Sequence, residues 1–305
     1  MSKVIEGVSQ LDVIKKAADT LFTFATPEER VVGDWCMQKA EKVMMAELLN
    51  VVFQVKKPEF RWHTMLRRGN LLETLDYLLG LNPGFCHNII KFYQKWIKKY
   101  NGILIYSYGA RIQGTEPAPA DFGVNQLDQW STVVVKLKQN PTSRQGTMVI
   151  RRPIDVFRTD TPCTICYHFQ IQWNKLYMTT FMRSCDILYG LPFDLFSQSM
   201  FFEQMSLALG VPMGTQTLFV ANFHAYENQW KRALKIINAA EGFYKERKGT
   251  YIVGKRDGEV FKILSQIKEW PKNRYLREDE LKEFLESDNE YWLDYLKLIG
   301  LNKNE

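Results

Sequence analysis

The order of apolar segments along the chain predicts a mixed α/β or α+β protein with a single domain. Two long spans, 10–56 and 71–100, contain apolar residues at helical spacing. Short segments rich in β-branched and aromatic residues follow and are typical of strands, and a long apolar segment over 193–209 then predicts a buried helix. Helices and strands mixed in this way indicate a mixed α and β architecture.

The N-terminal helices are predicted from two sets of apolar residues. The residues at helical spacing are Leu11, Ile14, Ala17 and Ala18 in the first set and Met44, Leu48, Val51 and Val52 in the second. Glu47 lies inside the second set, so we expect it to be shielded from water, which raises the pKa of a carboxyl group. The turn signal Asn82-Pro83-Gly84 interrupts the later helical span.

The remaining elements follow from changes in pattern along the chain. Strands are predicted over 102–106, 147–151, 164–173, 175–182 and 217–223, where β-branched and aromatic residues are frequent. Helices are predicted over 126–138, 193–209, 230–239 and 278–298, and a loop over 114–120.

The composition limits the class of protein. With 46% hydrophobic and 24% charged residues, the chain is an ordinary globular protein, and no apolar run is long enough to span a membrane. The N-terminus lacks an apolar signal core, so we expect a cytoplasmic location. The five cysteines form no paired CxxC motifs, which predicts neither a zinc site nor a disulfide framework. The net charge of +6 suits a phosphorylated ligand, whereas the basic segment 95–100 predicts a solvated helix face rather than a nucleic-acid site.

Three short motifs supply a cysteine, an arginine and a carboxylate. Cys163 follows Pro162, Arg183 lies further along, and Asp194 ends the segment Gly190-Leu191-Pro192-Phe193-Asp194. A thiolate is a nucleophile, an arginine stabilises an anion, and a carboxylate can recognise a base through hydrogen bonds. Together these motifs predict a cysteine enzyme that modifies a nucleotide.

A longer series of motifs resembles the thymidylate synthase family over residues 40–232. In the family's order, the motifs are Glu47-Leu48-Leu49, Tyr108-Gly109, Asn140-Pro141-Thr142-Ser143-Arg144, Pro162-Cys163, Arg183-Ser184-Cys185-Asp186, Gly190-Leu191-Pro192-Phe193 and His224-Ala225-Tyr226. The resemblance implies a thymidylate synthase-like fold, in which helices cover a mixed β-sheet and a sheet face forms a homodimer interface. It also implies one domain over 1–305, with a core of about 40–232 and a C-terminal helical extension over 233–305.

Four positions depart from a thymidylate synthase and resemble the family's deoxycytidylate and cytidylate 5-hydroxymethylase branch. They hold Arg152-Pro153, Thr164, Met182 and Asp194. The resemblance implies transfer of a one-carbon unit from 5,10-methylenetetrahydrofolate to C5 of a cytidine monophosphate, with water completing the hydroxymethyl group. It favours dCMP, because Ser184 and Met182 match the phage members of the branch. CMP, as used in nucleoside-antibiotic pathways, is the alternative.

The carboxylate of Asp194 favours cytosine on chemical grounds as well. Cytosine presents an amino donor at N4 and an acceptor at N3, whereas uracil presents a donor at N3 and an acceptor at O4. A carboxylate accepts from the N4 amino group, and a proton shared with N3 completes the pair. The alternative is that Asp194 only caps a helix that begins near Leu195.

The resemblance implies roles at the reacting carbon for four residues. Cys163 is the nucleophile that adds to C6, Glu47 organises water and moves protons, and Tyr108 helps to remove the C5 proton. Thr164 and Glu47 are candidates to hold the water that completes the product. From the residues alone, a buried cysteine such as Cys163 is usually inert packing, and Tyr108 is alternatively a packed aromatic at a strand end.

The resemblance also implies how the substrate and the folate are held, without a metal. The expected substrate-binding residues, which are all polar or charged, are Arg144, Arg183, Ser184, Asp194, His224 and Tyr226. Arg144 is expected to reach across the dimer interface to the phosphate in the partner's site, and Asp186 is expected to bind the pterin ring.

Two other functions stay open on the sequence. One is a thymidylate synthase that methylates dUMP, which Asp194 and Thr164 disfavour. The other is a non-catalytic family member that binds a nucleotide or RNA, which the set Glu47, Tyr108 and Cys163 disfavours.

Overall fold

The computed structural model describes five segments of the chain. They are residues 3–32, 41–62, 108–114, 127–157 and 161–237. The chain divides into two compact units, one made of residues 1–64 and 132–246 and the other of residues 65–131 and 247–305. The single domain with a C-terminal extension stays a prediction.

A mixed sheet of eight strands, counted over the described residues, forms the centre of the first unit. The strands are β1 (Lys3–Gly7), β2 (Glu28–Val32), β3 (Glu41–Val55), β4 (Gly146–Val149), β5 (Thr164–Gln172), β6 (Lys175–Met182), β7 (Cys185–Asp186) and β8 (Met213–Tyr226). Their order is β1-β3-β8-β6-β5-β4, with β2 paired to β3 and β7 paired to β8. Strand β8 runs parallel to β6 and β7 but antiparallel to β3. The predicted α/β class with a mixed sheet is confirmed.

Helices of the first unit pack on one face of this sheet. The described helices are α1 (Gln10–Phe24), α2 (Tyr108–Gln113), α3 (Gln129–Gln139), α4 (Leu191–Leu209) and α5 (Trp230–Ile237), and 3₁₀ turns span Pro153–Phe157 and Glu227–Gln229. Helix α2 and the first three residues of α3 belong to the second unit. Buried side chains from α1, α4 and α5 form one hydrophobic cluster with β1, β3 and β8. No helix in the described segments is both long and apolar enough to cross a membrane.

Helix α1 forms where the first apolar set predicts a helix. The Ser9 hydroxyl caps it by accepting a hydrogen bond from the Asp12 backbone N–H at 3.2 Å, which satisfies a donor of the first turn. Leu11, Ile14 and Ala17 are buried on its inner face. The predicted helix and its apolar face are confirmed.

The second predicted helix, around residues 44–52, is wrong, because these residues belong to strand β3. Strand β3 is central and pairs with β8 on one side and with β1 and β2 on the other. Its apolar residues match helical spacing because they occupy both faces of the strand. Pairing with three neighbours therefore decides the conformation, and Glu47 lies on a strand.

The alternation of side chains that face toward and away from the hydrophobic cluster is interrupted in β3 and β8 near Asn50. The residues of these two strands in the hydrophobic cluster are Ala46, Leu48, Val51, Phe53, Val55, Leu218, Val220, Phe223 and Ala225. On each strand every second residue faces the cluster, except that the spacing is three between Leu48 and Val51 and between Val220 and Phe223. Asn50 lies at this break in β3 and has a φ of 55°, in the left-handed region. As a result, Glu47 and His224 lie on the sheet face opposite the cluster.

The face opposite the cluster also carries a row of apolar residues. Register neighbours in this outer apolar row are Val4, Val52, Phe219, Phe181, Cys166 and Val149, one from each of six strands. Phe181 and Phe219 are 39% and 43% exposed, and their rings stack with centroids 5.3 Å apart. The outer apolar row is therefore a surface on which a second sheet could pack.

The helical prediction for the span 10–56 is also wrong over Glu28–Val32, which form strand β2, and the other predicted elements are confirmed where the structure describes them. Helices α3, α4 and α5 match the helices predicted over 126–138, 193–209 and 230–239, and β4, β5, β6 and β8 match the strands predicted over 147–151, 164–173, 175–182 and 217–223. The predictions for 71–106 and 278–298, and for most of the loop over 114–120, lie outside the described residues.

Candidate active site

Cys163 lies directly before β5, half-buried against the hydrophobic cluster. Arg183 holds the turn that carries it, because its Nε donates to the Pro162 carbonyl at 3.1 Å and its Nη2 donates to the Thr161 carbonyl at 2.8 Å. The Arg183 backbone N–H also donates to the Cys163 carbonyl at 2.8 Å. The structure therefore brings the predicted nucleophile and the predicted anion-binding arginine together.

Predicted catalytic, sugar-binding and folate-binding residues lie side by side on three strands. Glu47 on β3, His224 on β8 and Asp186 on β7 are register neighbours in one row across the sheet. Tyr226 follows His224 by two residues, so both side chains face the same side, and their rings pack edge to face with centroids 5.0 Å apart. The structure brings these four residues together, while their roles stay predictions.

The Glu47 carboxylate is held by two partners. Arg30 Nε donates to Oε2 at 2.7 Å, and Asn222 Nδ2 donates to Oε1 at 2.8 Å. Burial acts to raise the pKa of Glu47, but these hydrogen bonds and the Arg30 charge outweigh burial, so the pKa lies below its ordinary value. The expected rise in the Glu47 pKa is wrong, because the sequence did not indicate that Arg30 lies beside it.

His224 is buried, and its ring contacts Asn222. Its Nδ1 lies 2.9 Å from Asn222 Oδ1. Burial lowers the pKa of His224 below its ordinary value, although the charges of Asp186 and Glu47 act in the opposite direction. The imidazole is therefore neutral at neutral pH.

Asp186 is held by the turn that follows β7. Its Oδ1 accepts hydrogen bonds from the backbone N–H groups of Leu188 at 2.8 Å and Tyr189 at 2.6 Å. Burial raises the pKa of Asp186 in spite of these bonds. Burial also raises the pKa of Tyr226, and the Asp186 charge adds to that rise. The predicted pterin-binding carboxylate is thus fixed by the backbone.

Asp194 lies within the first turn of α4. The helix begins at Leu191 with Gly190 as its cap residue, so the alternative that Asp194 is only a helix cap is wrong. Both carboxylate oxygens accept hydrogen bonds, Oδ2 from Cys185 Sγ at 3.7 Å and Oδ1 from Gln198 Nε2 at 3.3 Å. Asp194 is therefore oriented by donors from β7 and from the next turn of α4.

Gln198 and Cys185 are both kept in the state in which they donate to Asp194, for different reasons. Thr180 Oγ1 on β6 donates to Gln198 Oε1 at 2.7 Å, and both side chains are fully buried. Since Oε1 accepts from Thr180, the Gln198 amide nitrogen faces Asp194. Burial, together with the charges of Asp194 and Asp186, raises the pKa of Cys185 well above its ordinary value, so Cys185 stays a thiol that can donate.

Gly190 allows α4 to start against β7. A Cβ at this position would lie 2.6 Å from the Asp186 backbone nitrogen and 3.1 Å from Cys185 Sγ. Only glycine fits such a close approach without displacing its neighbours. The same approach places Asp194 beside Cys185, on which the Cys163 charge also acts.

The other predicted site residues lie on several elements. Thr164 is fully buried at the start of β5, and Ser184 is half-buried between β6 and β7. Arg144 is exposed in the loop before β4, and Tyr108 begins α2 in the second unit. The contributions of Arg144 and Tyr108 to the chemistry of Cys163 stay predictions.

Sequence reasoning missed several residues that hold the site. Asn222 could have been found, because it lies two residues before His224 and so on the same face of a strand. Gln198 could have been found from its spacing of one helical turn after Asp194. Arg30 carries no such signal, because its approach to Glu47 depends on the pairing of β2 with β3.

The site combines a thiol, a guanidinium group, carboxylates and a neutral imidazole. Such a set can bind a polar ring and an anion while a sulfur nucleophile approaches the ring. Within the described ranges, no group of three or more His, Cys, Asp or Glu side chains could hold a metal ion.

Comparison with known proteins points to one family. Residues 82–244, more than half of the chain, match the family model described as "Thymidylate synthase". A protein named "Putative thymidylate synthase" from Methanosarcina mazei is 31% identical over 133 residues, which are 43% of this chain and 58% of that protein. A protein of the same name from Methanothermobacter thermautotrophicus is 29% identical over 200 residues, 63% of this chain and 82% of that protein. The thymidylate synthase of Fusobacterium nucleatum is 29% identical over 149 residues, 48% of this chain and 51% of that protein.

The matched region contains most of the candidate site. The chain spans 58% of the length of the Methanosarcina mazei relative. Cys163, Arg183, Asp194 and His224 lie inside residues 82–244, whereas Glu47 precedes them. The mixed sheet with helices on one face is consistent with the thymidylate synthase-like fold. The chain belongs to the thymidylate synthase family.

Proposed function

We propose that this protein is a folate-dependent one-carbon transferase that hydroxymethylates C5 of a cytidine monophosphate, with dCMP favoured over CMP. The observation that carries the proposal is the Asp194 carboxylate, which is oriented by Cys185 and Gln198. A carboxylate accepts hydrogen bonds, so it suits the N4 amino group of cytosine. The O4 acceptor of uracil would face a second acceptor at this place, which is unfavourable without a proton between them.

The proposed nucleophile is Cys163, whose sulfur adds to C6 of the pyrimidine and makes C5 carbanion-like. Arg183 supports this step by fixing the turn before Cys163 through the carbonyls of Thr161 and Pro162. The folate, when bound, supplies the one-carbon unit. Tyr108 is proposed to help remove the C5 proton, and Thr164 to hold the water that completes the hydroxymethyl group.

Glu47 is better suited to holding other residues than to moving protons. Its carboxylate already accepts from Arg30 and Asn222, and its lowered pKa keeps it ionised at neutral pH. A general acid needs a pKa near the working pH, so an ionised carboxylate of this kind is a poor proton donor. Because both Glu47 oxygens already accept hydrogen bonds, we favour Thr164 of the two candidates to hold the water.

The proposed substrate and folate contacts follow the polar side chains of the site. Arg183 and Ser184 are the proposed phosphate contacts, with the Nη1 group of Arg183 donating to the phosphate while Nε and Nη2 hold the turn before Cys163. His224 and Tyr226 reach the sugar hydroxyl from one strand face. The Asp186 carboxylate suits the N–H edge of a pterin ring, which supports a folate at the end of β7.

The proposed assembly is a homodimer that packs through the outer apolar row. Exposed aromatic side chains such as Phe181 and Phe219 lie across the middle of this row. Contiguous apolar surface of this kind commonly marks an interface. Arg144, which is exposed, would then serve the phosphate of the partner's site. The cytoplasmic location also stays a prediction.

The test incubates the purified protein with 5,10-methylenetetrahydrofolate and an equimolar mixture of dCMP, CMP and dUMP, followed by product mass measurement. Gain of CH2O on dCMP or CMP supports the proposal and identifies the sugar. Gain of CH2 on dUMP instead indicates a thymidylate synthase and overturns the assignment of Asp194. Cys163→Ser should abolish product formation, whereas Cys166→Ser is the matched control.

A further inference from the structure

Three consecutive hydrogen bonds connect an exposed arginine to the buried imidazole of His224. Arg30 Nε donates to Glu47 Oε2 at 2.7 Å, and Asn222 Nδ2 donates to Glu47 Oε1 at 2.8 Å. His224 Nδ1 lies 2.9 Å from Asn222 Oδ1. All three distances are those of good hydrogen bonds. Two residues in this relay, Arg30 and Asn222, have no role in the proposed chemistry.

We propose that Glu47, through Asn222, fixes His224 as the tautomer with the proton on Nδ1 and a bare nitrogen at Nε2. An ionised carboxylate can only accept hydrogen bonds, so Asn222 must turn its amino group toward Glu47. The Asn222 carbonyl oxygen then faces His224, and an oxygen acceptor requires a proton on Nδ1. Glu47, Asn222 and Arg30 are thus positioning residues.

The relay makes His224 a hydrogen-bond acceptor toward a ligand. The identity of that ligand as a nucleotide rests on the proposed function. A neutral imidazole protonated at Nδ1 presents Nε2 as an acceptor, so it binds a hydroxyl that donates, such as the 3′-hydroxyl of a nucleotide. Burial lowers the pKa of His224 and keeps the ring neutral, while the charges of Asp186 and Glu47 and a hydrogen bond with the Asn222 backbone favour its charged form and Arg183 opposes it. Recognition therefore depends on the tautomer that Glu47 selects.

The substitution Glu47→Gln should reverse the donor and the acceptor in the hydrogen bonds from residue 47 to Asn222 and from Asn222 to His224, with almost no change in side-chain size. Arg30 can only donate, so it holds the new amide oxygen, and the new amide nitrogen faces Asn222. Asn222 must then present its oxygen to Gln and its amino group to His224 Nδ1. An amino donor requires a bare Nδ1, which moves the proton to Nε2.

The experiment measures the ring nitrogens of His224 by long-range proton–nitrogen NMR in ¹⁵N-labelled protein, with His224→Gln to assign the signal. We expect the Nδ1–H tautomer in the wild type and the Nε2–H tautomer in Glu47→Gln. The double substitution Arg30→Met with Glu47→Gln should restore the Nδ1–H tautomer, because the amide is then free to turn its oxygen toward Asn222. Arg30→Met alone keeps the carboxylate and should not change the tautomer.

A wild-type Nε2–H signal, or an unchanged Nδ1–H signal in folded Glu47→Gln, would overturn the relay. Neither reading requires a ligand, so the relay is tested independently of the proposed reaction. If Glu47 had only a structural role, Glu47→Gln would be less stable but would keep the wild-type tautomer of His224. Adding Arg30→Met would then have no effect on the tautomer. Rescue by a second substitution at an exposed residue separates the two explanations.

A second measurement tests the link to substrate by comparing dCMP with its 3′-fluoro analogue, which accepts but cannot donate. The wild type should bind dCMP about tenfold more tightly, the effect of one hydrogen bond to an otherwise unpaired nitrogen. Glu47→Gln should lose most of this preference. If the tautomers invert as expected but neither nucleotide binds the wild type, the proposed function fails while the relay stands.

Discussion

The support of Asp194 by Gln198 can be separated from the stability that Gln198 provides. Gln198→Leu removes the donor to Asp194 and also leaves the fully buried Thr180 hydroxyl without its acceptor. A buried polar group left unpaired destabilises a protein by about 1–3 kcal/mol, so we expect a loss of about 2 kcal/mol in the free energy of unfolding. The 3.3 Å bond to Asp194 is long, so its loss should reduce kcat/KM for the cytidine nucleotide about tenfold.

The double variant Thr180→Val with Gln198→Leu is the matched control for this prediction. Removing both partners leaves no unpaired hydroxyl, so most of the lost stability should return. Asp194 would still lack the donor that orients it, and kcat/KM should therefore stay low. Denaturant unfolding and steady-state rates measure the two quantities on the same proteins.

Two results would refute this reasoning. Full activity in the double variant would show that Gln198 does not orient Asp194. A Gln198→Leu protein as stable as the double variant would show that the Thr180 hydroxyl finds another partner when Gln198 is removed. Either result is informative only if the variants are folded, which the cooperative unfolding transition itself reports.

Three further predictions concern other parts of the molecule. Gly190→Ala should lower the free energy of unfolding by about 1–3 kcal/mol in a denaturant titration, because the added Cβ would meet the backbone of Asp186. If the proposed homodimer forms, Phe219→Lys should convert it to a monomer in light scattering, because the substitution places a charge in the outer apolar row, whereas Val156→Lys on an exposed 3₁₀ turn should not. The stabilisation of the wild type relative to Glu47→Gln should be present at neutral pH and lost in acid, because a carboxylate with a lowered pKa contributes above its unfolded pKa and loses that contribution as the pH falls through its folded pKa.

Each of these predictions has a clear contrary outcome. Unchanged stability in Gly190→Ala would mean that the start of α4 moves away from β7 at little cost. A dimeric Phe219→Lys variant would exclude the outer apolar row as the interface. A stability difference at Glu47 that does not change at all between neutral pH and the most acidic pH at which both proteins stay folded would mean that the charge of Glu47 does not contribute to it.

The residue pattern alone predicted those helices and strands whose conformation does not depend on which other elements they contact. Helix α4 was predictable because it is apolar around its whole circumference, and β5 and β6 because β-branched and aromatic residues surround the turn at Asn174. Strand β3 was not predictable, because apolar residues on both faces mimic helical spacing and only its pairing with β1, β2 and β8 selects a strand.

The candidate site was predictable where its residues lie in short motifs that resemble those of the thymidylate synthase family. Cys163 and Arg183 were expected together, and backbone pairing between the start of β5 and the end of β6 accounts for their contact. The groups that orient the motif residues come from distant parts of the chain. Arg30 reaches Glu47 from β2, and Thr180 reaches Gln198 from β6, so neither contact has a local signal.

Asn50, which has a left-handed backbone conformation, separates the part of β3 that carries Glu47 from the part in which the opposite set of positions faces the hydrophobic cluster. A β-branched residue is strained at a φ of 55°, so Asn50→Val should destabilise the fold by about 1–2 kcal/mol, whereas Asn50→Gly should be tolerated. If valine restores regular alternation along β3, Glu47 turns toward the hydrophobic cluster and the His224 NMR signal changes as it does when the relay is broken. Equal stability and an unchanged His224 signal in Asn50→Val and Asn50→Gly would mean that the change of face is set by β8 and not by Asn50.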